Sequence, residues 1–495
     1  MKRLGFTIIK NAVANIVRGG ATAMVALALP HFLTRELDHD HFAAWILMVQ
    51  IAAYVNYFDF GLQTAVARYL AQAIERHDEE QLHRLISTAV ALLAVAGVIA
   101  FAVIGGLILS LPHLFRQLPE ALTGELRLGL LVMTASAGLS LPMSTFTGVL
   151  IGLHRNEFPA LAIGGSRILG AIAVLISVHF TQSLLWIAIC MGGFNLFGGI
   201  VQWAMATRLL PLMRIRNQYL SRSMAKTLIR YCFSLTIYSL SMLLISGVDV
   251  IIVGYFKFGA VGYYAIATTL VTFMAGLSSA VFAAMMTPVA VLQTRGELGR
   301  IRDLVISTTR LSSYASLAIT ILAFVYGLWG LKIWVGPTYA FQALPILEVL
   351  LIAQAIRLTG SSYCTMLIAT GQQRYGVIVA LIEAGSNLIF SVAGAIWMGP
   401  IGVAWGTLIG ALIAIICLFP LSIRRATEVP IRGWIFLREG ILLPLLVTTP
   451  VLLYLVFLGS QNPKGKSLGV LALSGSISIL LAGAYEKLRP GSLRV

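Results

Sequence analysis

The sequence predicts an all-α polytopic membrane protein of about fourteen transmembrane helices. They are expected as two parallel six-helix lobes around a central cavity, followed by two C-terminal helices. Three observations carry this expectation: the composition, a succession of apolar runs of spanning length, and an alternation of positive charge between the runs.

Of 495 residues, 58% are hydrophobic and 11% charged, and the mean hydropathy is +0.90. A soluble domain carries about 25% charged residues. No soluble surface can be built from this composition, so soluble enzymes, nucleic-acid binders and disulfide scaffolds are excluded as the main reading. The net charge is +16, from 35 Lys and Arg against 19 Asp and Glu. In a soluble protein that excess would suggest nucleic acid. Here the cations cluster in short gaps between apolar runs, so orientation in the membrane explains them and no nucleic-acid partner is expected. Cys190, Cys232, Cys364 and Cys417 fall inside apolar runs without CxxC spacing, and read as small buried hydrophobes. The basic start, Met1 to Lys10, is followed by an apolar run that Arg18 interrupts, and no small-residue cleavage site follows; a cleaved signal peptide is not expected.

A spanning helix needs roughly 20 mostly apolar residues. Runs of that kind lie near 11–33, 42–67, 85–111, 126–153, 159–180, 184–207 and 228–256. They continue near 261–291, 305–331, 342–370, 376–398, 401–421, 434–458 and 467–485, with Gly399-Pro400 as the tightest gap. Their continuity excludes an outer-membrane barrel, whose strands alternate. Alternate gaps hold the cations. One set includes Lys2, Arg3 and Lys10; Arg68, Arg76 and Arg84; Arg208, Arg214, Arg216, Arg222 and Lys226; Arg295, Arg300 and Arg302; and Arg424, Arg425 and Arg432. The opposite set holds little beyond Arg35, Arg116, Lys257, Lys332, Lys464 and Lys466. The positive-inside rule then puts both termini in the cytoplasm. The expected division is an N-terminal lobe with its basic linker over 1–226, a C-terminal lobe over 227–424, and two further helices with a tail over 425–495.

The halves resemble each other weakly. Leu85-Ile86-Ser87-Thr88 matches Val305-Ile306-Ser307-Thr308, Leu150-Ile151-Gly152 matches Leu367-Ile368-Ala369, and Ser166-Arg167 matches Ser386-Asn387, in the same order. Both halves start on the same side, so the repeat is parallel. Transporters built from such repeats bind substrate between them.

A charge within a span costs about 2.5–3.5 kcal/mol on insertion scales, so it faces a cavity or a partner. Four arginines lie there, Arg18, Arg167, Arg310 and Arg357, with four acids, Asp59, Asp249, Glu348 and Glu383. Many belong to stripes at helical spacing: Asn11, Asn15 and Arg18; Asn56, Asp59 and Gln63; Gln354, Arg357 and Ser361; Glu383 and Asn387; Ser246 and Asp249. The stripes predict a shared wet interior. The bland alternative is struts between helices, or side chains snorkelling to the interface. Glu383 is placed to neutralise either Arg167 or Arg357. Other motifs fail. Lys464-Gly465-Lys466-Ser467 imitates the end of a phosphate-binding loop, but Ser460 stands where the first glycine is needed. The histidines show no metal spacing, and no nucleophile–base pair is evident, so no catalytic residue, metal or cofactor is expected.

Asp59-Phe60-Gly61-Leu62 followed by Ala67-Arg68, and Gly247-Val248-Asp249 followed by Val261-Gly262-Tyr263-Tyr264, resemble helix ends of polysaccharide flippases. The whole chain is similar to the oligosaccharide-lipid flippases (the O-antigen, Wzx-like group) of the multidrug/oligosaccharidyl-lipid/polysaccharide exporter superfamily. The resemblance implies two lobes around a cavity open alternately to each side, in the bacterial inner membrane. It implies a polyprenyl-pyrophosphate-linked oligosaccharide as cargo, for O-antigen or another surface polysaccharide. Arg18, Arg167, Arg310 and Arg357 are then candidates for the pyrophosphate. Asn15, Asp59, Gln63, Asp249, Glu383 and Asn387 are candidates for the cavity wall or for coupling to an ion gradient or the membrane potential. Membrane lipid, a polysaccharide polymerase and glycosyltransferases are the implied partners. The rivals are a cation-coupled drug exporter of the same superfamily, centred on carboxylates; a membrane glycosyltransferase or polymerase, for which no large loop is available; and a non-transporting scaffold.

Overall fold

The computed structural model describes residues 19–20, 22–423, 429 and 431–448. Among these there is no strand, and ten helices are long and apolar enough to cross a membrane. They match the expected runs two to six and eight to twelve. The first and thirteenth runs are described in part, and the fourteenth lies outside the described residues, as does the segment Lys464 to Ser467. The spans leave apolar side chains facing outward, including Val98, Leu109, Phe180 and Trp397. Such a surface is stable in hydrocarbon and not in water.

The chain divides into two compact units, Met1–Ala265 and Ile266–Val495. In the first unit, α1 (His39–Ala53) leads through a 3-10 turn into α2 (Leu62–Glu75). Then come α3 (Glu79–Leu109), α4 (Glu120–Gly152), α5 (Glu157–Phe180) and α6 (Leu184–Leu209). The segments α7 (Arg222–Ser246) and α8 (Asp249–Phe256) follow. The division between these compact units falls inside α9 (Val261–Thr294). The second unit continues with α10 (Leu298–Val335), α11 (Pro337–Ala369), α12 (Gln373–Met398) and α13 (Pro400–Leu418). A further helix begins at Gly433–Leu437.

Local chemistry sets many of these ends. Asp38 accepts from the His41 backbone N–H at 2.7 Å and caps α1. Asp78 accepts from Gln81 N–H at 2.8 Å and caps α3, whose first turn also carries Glu79 and Glu80. Gly399 and Pro400 separate α12 from α13, as the sequence suggests.

The weak repeat has a structural counterpart in matched helix ends. His77 and Gly296 are left-handed, with φ of 53° and 73°, and end the helices before α3 and α10. His154 and Gly371, with φ of 59° and 78°, end α4 and α11. Each is followed by the same closing bond: Asp78 N–H to Ala73 O, Glu297 N–H to Leu292 O, Arg155 N–H to Leu150 O, and Gln372 N–H to Leu367 O, all between 2.7 and 3.0 Å. The matched residues Leu85 and Val305, and Leu150 and Leu367, are fully buried in the cores of their own units.

Glycines let helices approach closely. On α13, Gly402, Gly406 and Gly410 recur every fourth residue and face Gly394, Ser391 and Asn387 on α12. A Cβ at Gly406 would overlap the Ser391 backbone, whereas one at Gly385, on α12, meets nothing within 4 Å. Gly406→Ala should therefore cost about 1–3 kcal/mol by overpacking. Gly385→Ala should be neutral or gain up to about 1 kcal/mol of helix propensity. Thermal unfolding of the purified protein in detergent checks the order of the two variants; equal melting points contradict this packing.

Candidate functional site

In the first unit, the two motifs with polar residues in spans turn out to be helix breaks. Phe60 and Gly61 are left-handed, with φ of 52° and 76°, so the run expected as one helix over 42–67 stops and restarts. The Asn56, Asp59 and Gln63 stripe presumed an unbroken helical phase, and the break removes it: Asn56 is exposed and donates to Ala53 O at 3.1 Å. Asp59 instead serves the break. Its Oδ1 accepts from Ser144 Oγ at 3.0 Å, and its carboxylate accepts the Gln63 backbone N–H, one of the open donors at the start of α2. The expected helix over 228–256 also breaks, at Gly247-Val248. The Gly247 carbonyl accepts from Gln50 Nε2 at 2.9 Å and from the Tyr54 hydroxyl, two side chains one turn apart on α1 and its 3-10 continuation. Asp249 is buried, and its Oδ2 accepts from Tyr264 OH at 3.1 Å. In hydrocarbon every freed backbone group needs such a partner.

Arg167 is exposed on α5, and its Nη1 donates to Thr22 Oγ1 at 2.7 Å. Arg18 and Asn15 lie outside the described residues.

The second unit gathers its charges into pairs. Arg357 Nε lies 2.6 Å from Glu383 Oε1, and Nη1 donates to Gln354 Oε1 at 2.9 Å. The side chains of Arg357 and Glu383 are 19% and 8% exposed. Of the two partners open to Glu383, the structure gives it Arg357. The buried Nη2 of Arg357 has no hydrogen-bond partner among the described residues. Ser361, third in the expected stripe, donates to its own helix at Arg357 O instead. Asn387, one turn beyond Glu383, is fully buried where α12 meets Gly410, and it accepts from Ser391 Oγ at 3.1 Å.

Arg310 is buried on α10 with Glu439, at 3.3 Å between Nη1 and Oε2. Beside that pair, Ser313 donates to Gly440 O at 2.7 Å, and Phe436 meets Tyr363 edge-on. These contacts tie the segment from Gly433 to α10 and α11. Sequence reasoning missed Glu439, although it is the only acid in the apolar run over 434–458. Its neighbour Arg438 makes the spot look like a helix end. Gln50, Tyr54 and Ser144 were missed too, and Tyr264 entered only through its motif and not as the partner of Asp249, because spacing along a helix does not show what faces it.

Removing one member of a buried ion pair strands the other and costs about 3–5 kcal/mol, whereas an apolar pair of similar volume restores much of that. Arg310→Ala should therefore lower abundance and melting temperature sharply, and Arg310→Met with Glu439→Leu should recover both. A neutral single variant contradicts a buried pair.

Residues 8–291 match the family described as polysaccharide biosynthesis protein. No curated protein sequence matches the chain. Among solved structures, the lipid II flippase MurJ in an inward closed conformation superposes with a TM-score of 0.72 at 14% identity, covering 97% of this chain and 99% of that one. A multidrug resistance MATE family transporter of the MOP superfamily, inward-facing, gives a TM-score of 0.64 at 15% identity, over 81% of this chain and 95% of that one. The MATE transporter VcmN of Vibrio cholerae, in a point-mutant form, gives 0.63 at 16%, over 86% and 98%. At these identities the likeness is one of fold. The chain belongs to the polysaccharide biosynthesis protein family and is a multi-pass membrane protein with the two-lobed helical fold of MOP superfamily transporters.

Proposed function

We propose that this protein is a flippase. It moves a polyprenyl-pyrophosphate-linked oligosaccharide from the cytoplasmic to the outer leaflet of the bacterial inner membrane by alternating access, for O-antigen or another surface polysaccharide. Family membership supports the polysaccharide context, and the flippase and transporter folds that superpose on the chain support movement across the bilayer rather than catalysis. On this reading both termini are cytoplasmic, the lobes divide at the basic linker before residue 227, and a polymerase and glycosyltransferases act beside the protein.

The observation that carries the reading is the Arg357 guanidinium. It is half-buried within a span, shared with Gln354 and Glu383, and its Nη2 has no partner among the described residues. A pyrophosphate brings several anionic oxygens and a strong preference for the planar guanidinium fork. Cargo competes with Glu383 for Arg357 and the pair re-forms when the cargo leaves; while cargo is bound, the Glu383 carboxylate must take up a proton or another cation, because a lone buried charge is costly. Gln354 replaces lost water around the sugar-phosphate head, and the prenyl tail stays in lipid. The membrane potential, negative inside, favours outward movement of the anion by about 2.3 kcal/mol per charge per 100 mV.

The test uses cells whose surface polysaccharide depends on this protein, with protein abundance measured alongside. Arg357→Ala should abolish export, and Arg357→Lys, which loses the fork, should be partly active at best. Arg357→Ala with Glu383→Ala relieves the stranded carboxylate, so abundance should recover while export stays absent. Export restored by the double variant would make the pair a strut and remove Arg357 from cargo binding. Export of cationic drugs in place of the polysaccharide would favour the carboxylate-centred rival.

A further inference from the structure

The gap between α6 and α7 is more than a tether. From Glu157 to Asp249 the chain contains no intervening acidic residue, and over 208–230 it carries Arg208, Arg214, Arg216, Arg222, Lys226 and Arg230. All six are exposed. Exposed apolar side chains alternate with them: Leu212, Ile215 and Leu220 are 58%, 43% and 50% exposed.

The gap is also held in one conformation. Three side chains at the start of α3 bind its backbone. His83 Nε2 meets Leu212 O at 2.6 Å, and its ring stacks on Tyr219 with centroids 4.9 Å apart. Ser87 Oγ donates to Arg214 O at 3.3 Å and accepts from Arg216 N–H at 3.4 Å. Thr88 Oγ1 accepts from Ser221 N–H at 3.2 Å. The polar backbone is thus spent on α3, and the side chains of Arg214, Ile215 and Arg216 are left outward. The acids at that end of α3 are Asp78, Glu79 and Glu80, and Glu80 is engaged by Arg84 at 2.5 Å.

We propose that the pinned segment 208–230 is a docking surface for the anionic phospholipid headgroups of the leaflet it adjoins. The spanning helix α6 ends at Leu209, beside Arg208, and Arg222, Lys226 and Arg230 lie along the first turns of α7, which places the cations at the end of a membrane span, where clustered Lys and Arg select anionic lipid. Leucine and isoleucine between the arginines suit the acyl boundary and would be wasted on a nucleic acid or a soluble anion. Because His83, Ser87 and Thr88 fix the segment on α3, lipid bound there grips the first unit directly.

Trypsin tests this on the full-length protein in nanodiscs, because Arg214, Arg216 and Arg222 are its targets. The exposed loop at Arg295, between α9 and α10, is the internal reference for protease activity. Relative to that loop, cleavage at 214–222 should slow about fivefold or more when phosphatidylglycerol is added to phosphatidylcholine discs. Equal relative rates in the two discs would overturn the proposal. Inorganic pyrophosphate added to phosphatidylcholine discs should not protect; protection matching that of phosphatidylglycerol would assign the patch to a soluble phosphate instead and overturn it too. In Arg214→Gln with Arg222→Gln and Lys226→Gln, the lipid-dependent protection of Arg216 should largely vanish, and its persistence would count against charge recognition. The wild-type comparison decides the matter alone if that variant fails to fold.

Discussion

A guanidinium inside a bilayer cannot be left alone, and this constraint organises the second unit. Arg310 and Arg357 each sit in a span, and each is answered by a carboxylate from another helix, Glu439 and Glu383. The pairing draws helices together that apolar packing alone would leave free to slide. Arg357 and Glu383 join α11 to α12, which is in turn fixed to α13 by the glycines at 402, 406 and 410. Arg310 and Glu439 bring the segment after Gly433 onto α10, so part of the C-terminal addition belongs to the unit's core, with Phe436 buried against Tyr363. Desolvating a pair costs more than its attraction returns unless the geometry is good, so such pairs argue for specificity or use rather than for bulk stability.

The first unit meets the same constraint with backbone groups instead of cations. Its two helix breaks expose amides and carbonyls inside the bilayer, and each is met by a designated side chain: Asp59 with Ser144 at one, Gln50 and Tyr54 on the Gly247 carbonyl at the other. Broken helices at membrane depth are tolerated where protein or a wet cavity satisfies them, and transporters use them at binding sites. Asp59 thus reads first as a structural cap. Its carboxylate is occupied by its own fold in the state described.

Much of the fold was legible in the sequence. Hydrophobic length placed the spans, Gly399-Pro400 marked a boundary, and the faint repeat pointed at equivalent helix ends, now visible as the left-handed residues His77 and Gly296, and His154 and Gly371. The breaks were not legible, because Asp59-Phe60-Gly61 is apolar enough to pass within a run and only the positive φ of two successive residues ends the helix. The i, i+4 face of Glu383 and Asn387 survived, but spacing did not show that Asn387 is sealed against Gly410 while Glu383 meets a cation. Cross-helix partners such as Glu439 depend on tertiary packing, which periodicity within one helix does not encode.

The most direct test of the central claim is translocation itself, with purified protein in liposomes that carry a polyprenyl-pyrophosphate-linked disaccharide labelled on its sugar. An impermeant quencher added outside reads the leaflet in which the sugar lies. The account predicts that protein-containing vesicles lose nearly all fluorescence, while empty vesicles and vesicles with folded Arg357→Ala protein keep the inner-leaflet half. Folded wild-type protein that leaves this half protected would contradict it.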